Sequence, residues 1–144
     1  MQTPDKGPPS DVSPAWHSEG AWFGELNQAD FEIELYERII RRNPDYIVVL
    51  RCLGELLARK GFYDRSLQVD RRLVALRPAD AIARYNLACS LARGGSCTSA
   101  IEELDRAIET GYSDFGHLEV DPDLDSLREE PAYIALMQRH GLRN

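Results

Sequence analysis

From Asp30 onward, apolar residues recur with the spacing of an amphipathic helix. Ile33, Tyr36 and Ile40 form an i, i+3, i+7 stripe, flanked by Phe31, Leu35 and Ile39. Asp30 is a good N-cap, and Arg41-Arg42 stand in the last turn before Asn43-Pro44, where cations complement the helix dipole without implying a basic site. The same period predicts helices at about 46–60, 63–76, 80–93 and 97–110, and a final one at about 131–139. The expected class is all-α.

The order of these helices contains an internal copy. Ile47–Asp80 and Ala81–Asp114 are equal in length and stand end to end. Laid over each other, they match Leu53-Gly54 with Leu87-Ala88, Leu57 with Leu91, Gly61 with Gly95, Ser66-Leu67 with Ala100-Ile101 and Leu73 with Ala107. With Pro78 near the end of the first copy, a period of about 34 residues and this succession of positions, the chain resembles the tetratricopeptide repeat family. Each such unit is a pair of antiparallel helices that cannot bury its apolar stripe alone, so stacking supplies the core. Gly54 and Ala88, with Ser66 and Ala100, fall where two helices cross closely. Gly61 and Gly95 fall where a left-handed residue closes the first helix of each unit.

The resemblance implies a short antiparallel helix-pair solenoid that recognises another protein, with the first helix of each unit lining a concave groove. Carried onto matching positions, that groove presents Val48, Arg51, Glu55 and Ala58 from one unit, and Ile82, Tyr85, Asn86, Cys89 and Arg93 from the next. Family members that hold a chaperone's C-terminal carboxylate use a clamp of basic and Asn residues. Arg51 and Asn86 match it here, but Glu55 puts a negative charge at an Asn position, so binding of an anionic peptide end is not expected. Asp70, where the family has a large apolar residue, and Arg84, at the tryptophan position of the next unit, are expected to form a partly buried ion pair.

Residues outside the repeats behave differently. Residues 1–29 read as a flexible, acidic, aromatic-containing tail, with Pro4, Pro8, Pro9 and Pro14 near its start. Trp16, Gly20 and Phe23 match the first helix of an earlier unit over Ser13–Tyr46, but Gly20 and Gly24 each cost a helix interior about 1 kcal/mol, which favours an irregular segment. Residues 30–46 are then a half repeat, 47–80 and 81–114 full repeats, and 115–144 a cap resembling the closing segment of many bacterial tetratricopeptide proteins. Phe115, Leu118, Leu124, Leu127, Tyr133, Leu136 and Met137 are expected to fold over the helix at about 97–110, whose apolar face otherwise meets water. Asp121, Asp123 and Asp125 have the spacing of the first calcium ligands of an EF-hand. Ser126 stands at the glycine position of that loop and Ala132 at its bidentate Glu, so these residues read as turn formers and caps, and no metal is expected.

Composition narrows the function further. Residues 1–30 carry 1 positive and 5 negative charges, 31–114 carry 13 of each, and 115–144 carry 3 and 6, giving a net charge of −7 with no basic face. Nucleic acid is therefore not an expected partner. No apolar run suits a membrane, and no secretory signal is seen at the N-terminus. Three cysteines without CxxC spacing favour free thiols in a reducing, cytoplasmic setting. No phosphate loop, GxSxG elbow or HExxH helix occurs, so neither an enzyme nor a cofactor is expected. Two alternatives to a peptide-binding module remain: a self-binding or oligomerising protein using the Trp16–Phe23 segment, and, more weakly, a thiol enzyme or redox sensor using Cys97 at a helix start.

Overall fold

A computed structural model describes the backbone of residues 16–144 and the side chains from residue 28 onward. The elements are α1 (Trp16–Arg42), α2 (Ile47–Arg59), α3 (Tyr63–Leu76), α4 (Ala81–Arg93), α5 (Cys97–Glu109), α6 (Phe115–Val120), a 3-10 turn (Pro122–Leu127) and α7 (Pro131–Arg139). There is no strand among the described residues. Each of α1 to α4 packs against the next helix, the signature of a solenoid, and the closing segment folds back on α4 and α5.

The first helix of each copy, α2 and α4, is ended by one backbone device. Gly61 and Gly95 take φ values of 80° and 81°, the left-handed region that a side chain disfavours. At the end of α2 the N–H of Phe62 reaches the carbonyl of Leu57 at 2.9 Å and that of Gly61 reaches Ala58 at 3.0 Å; Ser96 to Leu91 and Gly95 to Ala92 repeat the pattern at the end of α4. This Schellman closure satisfies the last carbonyls and turns the chain sharply into the next helix.

Equivalent positions of the two copies share one environment. Leu53 and Leu87 are 4% and 6% exposed, and Leu57 with Leu91, Ser66 with Ala100 and Leu73 with Ala107 are likewise buried. The close crossing of α2 on α3 is tighter than the pattern implies. A methyl at Gly54 would sit 3.2 Å from Asp70 Oδ1 and 3.3 Å from Val69 Cγ1, and the Ser66 hydroxyl donates to the Gly54 carbonyl at 3.2 Å.

Three expectations are corrected. Residues 16–42 form one continuous helix of 27 residues, so Trp16–Phe23 is helical and Asp30 caps nothing; its carboxylate lies 3.2 Å from Nζ of Lys60, the residue that ends α2. Nor do residues 16–46 form a helix pair. In the repeat register Asn27 stands where Gly61 and Gly95 break the chain, so no glycine interrupts the helix there, and the cost of Gly20 and Gly24 is spread over a long helix. Residues 1–15, with Ser13, Pro14 and most of the expected tail, lie outside the described residues.

The Asp70–Arg84 pair is the third correction. Arg84 donates instead to Glu103 at 2.8 Å and to the Pro78 carbonyl at 2.6 Å, whereas Asp70 accepts from the Ser90 hydroxyl. Glu103 lies on α5, which packs beside α4, so its carboxylate is the one the Arg84 guanidinium reaches, while Asp70 faces Ser90.

At the C-terminal end, Leu118, Leu124, Leu127, Tyr133, Leu136 and Met137 are buried in one cluster with residues of α4 and α5, and Phe115 is half-buried at its edge. The expected fold-back over α5 is only part of the arrangement. The 3-10 turn packs chiefly against α4 and α7 against α5, so the cap closes both helices of the last pair.

Candidate functional site

α2 and α4 are the first helices of the two copies, and the 3.6-residue period puts Val48, Arg51, Glu55 and Ala58 on one face of α2 and Ile82, Tyr85, Asn86, Cys89 and Arg93 on one face of α4. Between these faces lies a cleft of about 260 Å³. Glu55, Ala58, Tyr85, Asn86, Cys89 and Arg93 line it, together with Gly54, Ser66 and Asp70 from the α2–α3 crossing and His117, Asp121 and Asp123 from the cap. A neighbouring hollow of about 540 Å³ is lined by Ile82, Tyr85 and Asn86 with Asp80, Tyr112, Asp114 and His117. Val48 and Arg51 lie outside both hollows. Val48 is 62% exposed, and Arg51 is bonded to the Asp80 carboxylate, which also caps α4 through the Ala83 N–H.

Tyr85 and Cys89 belong to the wall of the cleft and have partners within the chain. Both are buried, because the 3-10 turn covers them and presents Asp121. The Tyr85 hydroxyl donates to Asp121 Oδ2 at 2.6 Å, the Cys89 thiol points to the same oxygen at 3.6 Å, and the Tyr85 ring stacks on Tyr112 with centroids 4.1 Å apart. Burial works against the charge of Asp121. The Tyr85 hydroxyl, the Asp123 N–H and His117, whose Nε2 is 3.2 Å away, outweigh it and hold the carboxyl below the usual carboxylate range. Burial, and then the carboxylates of Asp121 and Asp123, push the Cys89 thiol up, which makes it a poor nucleophile. Cys97 is half-buried at the start of α5, and Cys52 is exposed.

A second polar chain crosses the floor. Asp70 accepts from Ser90, Arg93 donates to the Ser90 hydroxyl at 3.1 Å and to Asp123 at 2.8 Å, and the Arg93 Nε has no acceptor among the described residues. Burial raises the Asp70 carboxyl to about 6 despite the lowering effects of Ser90 and Arg93. Asp121, Asp123 and Cys89 bring ligand atoms within 4.8 Å of one another. Their oxygens already serve Tyr85, His117, Arg93 and the cap of the 3-10 turn, while Asp125 pairs with Arg128 at 3.0 Å. The sequence marks Asp70 as out of place and Asp121 and Asp123 as turn residues, but it does not connect them. They meet across about 50 residues of chain, a distance over which no periodic pattern carries information.

Replacing Tyr85 by Phe keeps the stack on Tyr112 and removes one donor from Asp121. The expected cost at pH 7 is about 1.5–3 kcal/mol, the range for a hydrogen bond to a charged group. Because the folded-state pKa of Asp121 is lowered, the stability it contributes is present above the unfolded value and lost as pH falls through the folded one. The difference between wild type and Tyr85→Phe in urea unfolding should therefore shrink in acid.

No family model matches the chain. Over 89 residues, 60% of the chain, it is 26% identical to a chloroplastic protein of Arabidopsis thaliana, and the aligned part spans 27% of that protein. Among solved structures, "MamA RS-1 ArsTM double mutant" is similar with a TM-score of 0.56 at 18% identity, covering 84% of this chain and 72% of that one. The fold is tetratricopeptide-like: all-α, a short helix-pair solenoid closed by a helical cap. No helix among the described residues is long and apolar enough to cross a membrane.

Proposed function

We propose that the chain is a protein-interaction module that holds an extended peptide or a partner helix along α2 and α4, acting as a scaffold and not as an enzyme. The observation that carries this reading is the repetition of exposure. Val48 and Ile82 hold the same unit position and are 62% and 60% exposed, one on each first helix, with the cleft on the same helix faces beyond them. Exposed apolar groups beside a polar cavity are the composition of a recognition surface, which needs an anchor and a means of discrimination. Glu55, together with Asp70 in the floor, argues against an anionic peptide end as the ligand.

The units 47–80 and 81–114 are, in this reading, the two working repeats, and the free thiols of Cys52, Cys89 and Cys97 suit a reducing, cytoplasmic setting. The test uses Val48→Asp with Ile82→Asp, because both sites are exposed and the double variant leaves the core intact. Peptides selected from a random display library on the wild-type chain should bind the double variant at least tenfold more weakly, with its melting curve unchanged. Equal binding by the two proteins would refute the location.

A further inference from the structure

Four carboxylates, Glu55, Asp70, Asp121 and Asp123, line the cleft against one guanidinium, Arg93, and the half-exposed His117. Two of the four are satisfied from within: Asp123 by Arg93, and Asp121 by Tyr85, His117 and the Asp123 N–H. Glu55 is exposed on α2, with no hydrogen-bond or ion-pair partner among the described residues. Asp70 differs from all three. Its side chain is 5% exposed, Ser90 serves Oδ2, and Oδ1 meets no donor among the described residues. That oxygen stays uncovered because residue 54 is glycine: a methyl there would lie 3.2 Å from Oδ1, and both residues line the cleft. Oδ1 is thus open to the cleft, where water or a bound donor can reach it, whereas Arg93 Nε is the buried polar atom without a partner among the described residues.

We propose that this cleft takes a cationic group of the bound peptide, a lysine or arginine side chain or an amino terminus, with Asp70 Oδ1 as the inner acceptor and Glu55 at the mouth. The inference rests on the reading above and gives it a specificity. A desolvated charge pair formed inside the cleft discriminates strongly, because an uncharged residue in the same place leaves the carboxylate unpaired. Arg93 is held by Asp123 and Ser90, so it does not compete for Oδ1. Burial raises the Asp70 carboxyl more than Ser90 and Arg93 lower it, and an arriving cation would lower it further.

The experiment pans a random dodecapeptide library on the full chain in the presence of EDTA, then repeats it on Glu55→Gln, Asp70→Asn and the double variant. Exposed Glu102→Gln on α5, which does not line the cleft, is the control. Wild-type binders should share a Lys, an Arg or a free amino end. Replacing that residue by norleucine, or acetylating the end, should weaken binding tenfold or more, and Asp70→Asn should do the same to the unmodified peptide. Should binders emerge that do not need a cation, or keep their cation dependence on both Glu55→Gln and Asp70→Asn, this inference fails while the peptide-binding reading stands. Absence of any enriched peptide overturns both. If zinc chloride alone, without peptide, raises the melting temperature and the rise is lost in Cys89→Ser, the acidic cluster is a metal site and the inference is also overturned.

Discussion

A chain ending at Asp114 is expected not to fold cooperatively. The removed segment buries Leu118, Leu124, Leu127, Tyr133, Leu136 and Met137, each no more than 3% exposed, against α4 and α5. Burying one large apolar side chain is worth about 1.5–3 kcal/mol, so these six together match or exceed the roughly 5–15 kcal/mol by which a domain is stable at all. Compaction of the unfolded chain lowers that sum without changing its scale. Truncation also strips Asp121 from Tyr85 and Cys89, leaving a buried hydroxyl and thiol to face water. Circular dichroism should show reduced helicity and a broad, shallow melt. A milder probe is Leu124→Ala, expected to cost about 2–5 kcal/mol in urea unfolding of the full chain. A truncated chain that melts sharply near the wild-type temperature would show that the cap is an ornament and not half of the core.

Asp70→Asn is expected to stabilise the protein at neutral pH. The folded-state pKa of Asp70 is raised from 3.8 to about 6, chiefly by burial, so its ionised form is penalised in the folded chain. The penalty is fully present above about 6 and gone below 3.8, so wild-type stability from this group rises as pH falls through that window. At about 1.4 kcal/mol per pK unit, removing the charge should gain roughly 1–3 kcal/mol at pH 7.5, a few degrees in melting temperature. Asn can still accept from Ser90 through its carbonyl oxygen. Asp80, Asp105 and Asp121 have lowered pKa values and act in the opposite direction, losing stability as pH falls through their folded values. The quantity to measure is therefore the gap between variant and wild type, which should narrow from pH 7.5 to pH 5. A variant less stable than wild type at pH 7.5 would mean that Arg93 and Ser90 stabilise the carboxylate more than burial penalises it. The same substitution is expected to weaken peptide binding, so a gain in stability would coincide with a loss of function.

Much of the architecture is legible from residues alone. The turn glycines Gly61 and Gly95, the matched leucines Leu53 and Leu87, and Pro131 opening the last helix each act within a few residues of themselves, and helices α2 to α5 and α7 fall within about a residue of their expected bounds. The first helix is misjudged from sequence for the converse reason. Gly20 and Gly24 look like breakers, but a glycine breaks a helix only where the chain also turns away, and Asn27 provides no such turn. Of the candidate groove, Glu55, Ala58, Tyr85, Asn86, Cys89 and Arg93 line the cleft, Tyr85 and Cys89 as buried residues of its wall, while Val48 and Arg51 lie outside it and Arg51 pairs with Asp80.

The amino-acid order by itself determined the helix period, the repeat and the presence of a closing segment, because each is set by spacing along one strand of backbone. Which side chains meet was decided only by the tertiary packing. Asp70 chose Ser90 over Arg84, and Asp121 reached Tyr85 and His117, because helix crossing angles and the fold-back of the cap bring together groups whose separation in sequence encodes nothing about their distance.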